Sequence, residues 1–220
     1  MISLQHKVLF VHIPKCAGQS IERAFLKKLS IDWSNRHGLL LRPKERHESG
    51  PEMLAHLYAN EYVKFGYINE GDFNRFFKFS IMRDPIDRVI SELNFRRVAK
   101  GLGGVNSIEE YVTKIRKKYD INSDVVRHLE PQVNFIFDDK MKNIIVDDVI
   151  NFDNIEAGFE RIKIHMGCSN LQLSKENVSQ KKNWLRSEIS QSDIEFVQKT
   201  YELDFAFLAN NSTMCHYNET

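Results

Sequence analysis

One stretch limits what this chain can fold into more than any other: "VLFVHIPKCAGQS", residues 8–20. The short apolar run "KVLFVHI" (7–13) reads as a strand buried on both faces, the habit of parallel sheets. It stops abruptly at Pro14 and Lys15, passes through small residues, and resumes as "SIERAFLKKL" (20–29), where Ile21, Ala24, Phe25 and Leu29 share one helical face. Strand, tight turn and helix in that order form a cradle for an anion. Gly18 lets the backbone approach closely, and the first amides of the helix point outward. Lys15 adds a full charge and Ser20 a hydroxyl. The pattern is neither a Walker A loop, since the lysine precedes the glycine, nor a GxGxxG dinucleotide turn. A plain strand-to-helix connection with a solvated lysine is the competing reading.

The same logic recurs in "FKFSIMRDPIDRVISELNF" (77–95). "FFKFSIM" (76–82) reads as a second strand and "PIDRVISELNFRRV" (85–98) as the helix after it. Asp84 is placed to cap that helix, and Pro85 suits its first turn. Ile86, Val89, Ile90 and Leu93 form the core face, which puts Arg88, Ser91 and Phe95 on roughly the opposite side. Arg83 at the strand end and Ser91 two turns along the helix can converge on one phosphate, and the arginine fork suits such a group. Otherwise Arg83 pairs with an acidic neighbour and Ser91 lies on the surface. Two anion sites at two strand ends favour a ligand with phosphate-like groups at both of its ends.

Elsewhere strand-like and helix-like patterns alternate, which favours an α/β layer fold in one domain spanning 1–220. "SIEEYVTKIRKKY" (107–119) and "SDIEFVQKTYELDF" (192–205) open with capping boxes, Ser107 with Glu110 and Ser192 with Glu195. "KNIIVDDVIN" (142–151) reads as an edge strand, and "DNIEAGFERIKIHMG" (153–167) as a helix closed by Gly167. "PEMLAHLYANEYVKF" (51–65) is helical in pattern. Residues 30–55 and "GLGGVN" (101–106) are expected loops.

Composition removes several function classes. With 31 basic and 30 acidic residues the net charge is +1, unlike a surface coated for nucleic acid. No stretch approaches the roughly 18 apolar residues of a membrane span. "MISLQHK" reaches the first strand too soon for a signal peptide. Cys16, Cys168 and Cys215 are odd in number, far apart and without a CxxC pair, so free thiols in a reducing cytoplasm are expected.

The two motifs together resemble those of sulfotransferases that use 3′-phosphoadenosine 5′-phosphosulfate (PAPS). "HIPKCAGQS" is similar to their 5′-phosphosulfate loop and "RDPIDRVIS" to their 3′-phosphate motif. The closer likeness is to the type 2 carbohydrate sulfotransferase family, which includes heparan sulfate 2-O- and chondroitin 4-O-sulfotransferases. "HLYANEYVKFG" (56–66) resembles the segment in which that family carries a catalytic histidine. "PQVNFIFDD", "IIVDDVINFDNIEAGFERI", "NVSQKK" and "YELDFAFL" resemble its later portions. Residues 28–52 and 97–128 match little of it. The resemblance implies a P-loop-like three-layer fold with a central parallel sheet flanked by helices. It also implies that Lys15, Cys16, Ala17, Gly18, Gln19 and Ser20 hold the 5′-phosphosulfate, and Arg83 and Ser91 the 3′-phosphate. Position 16 is Cys where Thr is common, so a hydroxyl contact would be lost.

Sulfuryl transfer to an alcohol is an in-line displacement that needs an anchored donor, a base for the acceptor hydroxyl and positive charge at the leaving oxygen. Lys15 and the helix amides near Ser20 suit the last role. No metal is required by this scheme, and no His/Cys/Asp group has metal-ligand spacing in the sequence. Of the eight histidines, His56 sits in the segment resembling the catalytic one and is the expected base, with His47 second. His12 lies within the first strand and reads as packed structure. His6, His165 and His216 have no motif around them, and His37 lies with His47 in the basic stretch. Lys181 or Lys182 would lie either over the donor or in solvent. The acceptor is expected to be a carbohydrate or other hydroxyl-bearing molecule, and Arg36, Arg42, Lys44 and Arg46 would suit an anionic sugar. Two further readings stand beside this one: a P-loop-like kinase, and a non-catalytic protein that binds adenosine 3′,5′-bisphosphate (PAP).

Overall fold

In a computed structural model, which describes residues 1–100, 107–173 and 186–214, the buried apolar run becomes strand β2 (Val8–Val11), preceded by a short β1 (Ile2–Ser3). With β3 (Phe77–Met82) and β4 (Asp148–Asn151) they form one sheet in the order β1-β2-β3-β4. β2, β3 and β4 run parallel, with Val8 opposite Phe77 and Phe79 opposite Asp148, whereas β1 returns antiparallel beside β2. The parallel α/β expectation is met. β1 is an addition too short to show any period. The expected loop at 101–106, the pair Lys181–Lys182 and Cys215 and His216 lie outside the described residues.

The β2 turn leads into α1 (Gly18–Lys28), and the chain then passes through α2 (Glu61–Lys64) and α3 (Glu70–Arg75) to reach β3. From β3 it enters α4 (Pro85–Lys100), α5 (Ile108–Lys118), α6 (Asp124–Arg127) and α7 (Val133–Ile136). After β4 come α8 (Ile155–His165), α9 (Gln191–Thr200) and α10 (Glu202–Met214). Phe10, Phe25 and Phe79 are fully buried around the sheet, with the Phe10 and Phe79 rings 4.9 Å apart. Each such side chain contributes about 1.5–3 kcal/mol by leaving water. A second apolar cluster joins Ile86, Val89, Ile90 and Leu93 of α4 to Tyr111, Val112 and Ile115 of α5 and to Val197 of α9.

Ser107 caps α5 as expected, accepting from the Glu110 amide at 3.0 Å, and Gly167 adopts φ +61° after α8. Three local expectations fail, the first two for identifiable reasons. Residues 142–147 form no strand, because Asp138 gathers the amides of Lys140 and Lys142 and the Asn143 side chain into a tight turn. The C-terminal helix is capped by Ser190, which accepts from the Asp193 amide, rather than by Ser192. It also breaks at Tyr201, where the Tyr201 hydroxyl bonds Leu129 O and Asp204 takes the amides of Gln132 and Val133. Residues 51–65 supply only a 3-10 turn, Leu54–His56, and the four residues of α2. Among the described residues no helix is long and apolar enough to cross a membrane.

Candidate active site

The turn after β2 is strained. Lys15 and Ala17 both hold left-handed backbone, at φ +68° and +59°. Non-glycine residues adopt that conformation at a cost of about 1–3 kcal/mol each, and such outliers gather where backbone amides line an anion-binding concavity. Ala17 is the N-cap of α1 and its side chain offers no cap bond, while its carbonyl accepts the Ser20 and Ile21 amides at 3.0 and 3.4 Å. α1 starts at Gly18, two residues earlier than the periodicity predicts. The need for glycine there has a cause the sequence did not reveal: a Cβ would sit 1.8 Å from Nε2 of His12.

The Cys16 thiol turns inward, 3.3 Å from Oε1 of Gln132, and burial pushes its pKa up to about 11. Its side chain therefore serves the core, and a ligand contact from residue 16 falls to the backbone. Gln132 is fully buried and links both turns: its Oε1 also accepts the Arg83 amide at 2.9 Å, and its Nε2 donates to Arg83 O at 2.8 Å. Lys15 and Arg83 thus lie just beyond the C-terminal ends of adjacent parallel strands. In open α/β sheets that edge is where ligands bind.

Lys15 rests its ammonium 4.2 Å from the centre of the Phe95 ring on α4. Burial holds its pKa below the usual lysine range; Glu92 opposes that shift, and Arg96 and Arg83 add to it. Arg83 stacks over Phe152 at 4.4 Å, and its Nε is buried with no hydrogen-bond partner among the described residues. Ser91 is half-buried on α4 between Arg88 and Phe95. Gln19 is exposed and Ser20 buried in the first turn of α1.

Arg88 corrects the face assignment made from periodicity. It is 1% exposed and donates to Pro14 O, Glu130 O and His128 O at 2.7–3.0 Å. α4 is covered on this side as well, by residues 128–130, so a buried arginine clamps the first turn to that segment.

His56 lies beside the first turn, its Nδ1 3.3 Å from His12 O. His12 and His128 meet the His56 ring edge-on at 4.7 and 5.0 Å, so three histidines stand in a row. His12 Nδ1 contacts Glu22 Oε1 at 2.6 Å. His128 Nδ1 contacts Glu92 Oε2 at 2.6 Å, and Arg96 braces Glu92 at 2.6 Å and Asp124 at 3.3 Å. Burial, then the charges of His12 and His128, hold the His56 pKa well below its ordinary value, and Asp124 offsets only part of this. Burial also works against a charged His128, but Glu92 and Asp124 raise its pKa above the ordinary value.

His128, Asp124 and Glu92 are absent from the sequence reading. "SDVVRHLE" carries no motif, and only the helix spacing of Asp124 and His128 hints that they meet. The fold also brings together a group whose proximity no sequence spacing shows: one imidazole or carboxylate atom each of His56, Asp124 and His128, all within 4.8 Å of one another. His47 is exposed and 3.6 Å from Glu45, away from this cluster. Arg42 is engaged in a two-point pair with Glu48 at 2.6 Å, and Arg36 lies over Trp33.

A parallel sheet whose two neighbouring strands each end in a cation-bearing turn before a helix defines an α/β protein of P-loop-like type. Residues 1–209 match the family model described as the sulfotransferase family, in its type 2 branch, and the chain belongs to that family. It is accordingly a transferase of sulfuryl groups. No curated protein and no solved structure matches it.

Proposed function

We propose that this chain is a PAPS-dependent O-sulfotransferase acting on a carbohydrate or other hydroxyl-bearing acceptor. The observation that carries the reading is the joining of the Lys15 turn and Arg83 by one buried amide, Gln132, at the ends of adjacent strands. The residues present suit such a donor. The backbone of the left-handed 15–18 turn and the Lys15 ammonium would take the phosphosulfate end, with Gln19 and Ser20 alongside. The Arg83 guanidinium, whose Nε has no partner among the described residues, would take the 3′-phosphate with Ser91. When bound, the donor supplies an activated sulfuryl group on a phosphate leaving group.

His56 is the base in this reading. Its Nδ1 is tied to a backbone carbonyl, which leaves Nε2 to accept a proton. Asp124 Oδ1, 3.7 Å from that nitrogen, would then face the imidazolium and stabilise it.

Calorimetry with PAP against ATP and NAD tests the donor. Selective PAP binding, weakened about 10-fold or more in both Lys15→Ala and Arg83→Ala, is expected, since a hydrogen bond to a charged group is worth about 1.5–3 kcal/mol. Equal binding of ATP would instead support a kinase. His56→Ala should lower turnover about 10²–10⁴-fold with PAP affinity unchanged. A protein that binds PAP but transfers nothing to any acceptor, with or without His56, would be a PAP-binding protein.

A further inference from the structure

The histidine row contains an arrangement that proton transfer does not account for. His56 and His128 each have Nδ1 engaged, one by His12 O at 3.3 Å and the other by Glu92 Oε2 at 2.6 Å. Both rings therefore present Nε2 to the same atom, Asp124 Oδ1, at 3.7 and 3.5 Å. Those separations exceed the roughly 2.7–2.9 Å of a charge-assisted hydrogen bond. Asp124 Oδ1 is buried and has no hydrogen-bond partner among the described residues. A buried carboxylate oxygen left this way is costly unless something else meets it.

A cation does. Zinc binds imidazole nitrogen and carboxylate oxygen at about 2.0–2.2 Å, which in a tetrahedron sets ligand atoms roughly 3.3–3.5 Å apart. The two edges through Asp124 approach that value, and all three ligand atoms lie within 4.8 Å of one another. The outer contacts are those of a metal site as well. Ligating histidines usually give their other nitrogen to a carboxylate or a backbone carbonyl, which fixes the ring and the tautomer. Glu92 and His12 O provide one of each. Two imidazoles and one carboxylate favour zinc-class ions over magnesium or calcium.

We infer that His56 Nε2, Asp124 Oδ1 and His128 Nε2 form a binding site for one divalent transition-metal ion of the zinc class. The site follows from this geometry and does not depend on the identity of the donor. One consequence does rest on the proposed reaction: His56 Nε2 can hold the metal or take the acceptor's proton, but not both. Zinc therefore inhibits transfer.

The test uses the full chain without a polyhistidine tag, stripped with chelator and then titrated with zinc or cobalt alone. One equivalent of zinc should survive dialysis, and cobalt should give the intense visible bands of a tetrahedral site. His128→Gln and Asp124→Asn, with folding checked by circular dichroism, should lose retention about 10-fold or more, while the exposed His37→Ala/His47→Ala pair keeps it. No retained zinc in the wild type, or equal retention in the folded variants, overturns the site. If neither variant folds, the wild-type cobalt spectrum decides: absent or weak octahedral bands overturn it. Sulfuryl transfer should fall to near zero at one equivalent of zinc and return with chelator. Full activity in the loaded protein refutes the competition. A protein that holds zinc yet ignores PAP refutes the donor reading and leaves the metal site intact.

Discussion

The turns after β2 and β3 carry out the same step of the chain, strand to helix with a cation between, by opposite means. The first is strained, with Lys15 and Ala17 left-handed and no side chain capping α1. The second is relaxed: Asp84 accepts the Asp87 amide at 3.0 Å, Pro85 opens α4, and Arg186 pairs with Asp84 at 3.0 Å and Asp87 at 3.2 Å. In the proposed reading, the helix terminus whose cap is filled by a carboxylate has no call for a second anion, and recognition passes to the Arg83 side chain. Where the cap is missing, the backbone itself is left to bind. On that proposal the two turns divide the work between main chain and side chain.

The sharpest way to break this contrast is Gly18→Ala. The new methyl would strike the His12 ring, which the Glu22 contact and stacking on Phe10 at 5.6 Å hold in place. We expect a loss of about 1–3 kcal/mol, read by thermal denaturation, with PAP binding lost alongside. An unchanged melting temperature with lost binding would show that the ring moves aside and that the glycine serves the ligand alone. Asp84→Ala is expected to cost about 1 kcal/mol of stability as a missing cap, with PAP affinity unaltered by calorimetry. A large change in affinity would mean that the second turn, too, binds through its helix terminus.

The smallest effect is expected at Cys16. Because its thiol faces Gln132, Cys16→Ser should leave PAP affinity unchanged. Burial raises the folded pKa from 9.0 to about 11, so the thiol's contribution to stability is fully present below pH 9 and lost as pH rises through about 11. Alkaline denaturation of Cys16→Ser should accordingly be shallower over that window. An unaltered curve would place the thiol in solvent.

Local patterns were legible where the residues answer to their neighbours in sequence. The Asp84 cap with Pro85, the Ser107 cap and the αL Gly167 depend on two to four consecutive residues, and all three are as read. The site was half legible for the same reason. Lys15, Gly18 and Arg83 stand at strand ends that their own apolar runs define, whereas His128 and Asp124 matter only because α6 is brought against Leu54–His56. Arg88 was misread because a 3.6-residue period reports one buried face and says nothing of a second segment covering the other.

Residue order alone sets β2 and β3 with the helices that follow them, their parallel habit, and the position of a cation at the end of each, since apolar periodicity and turn chemistry act over a few residues. Packing in three dimensions is what joins the two turns through Gln132, sets Gly18 against His12, and turns His56 and His128 toward one oxygen of Asp124. A polar residue's identity states what it can bond. Its partner, 49 residues away from Arg83 in the case of Gln132, is chosen by how the chain packs.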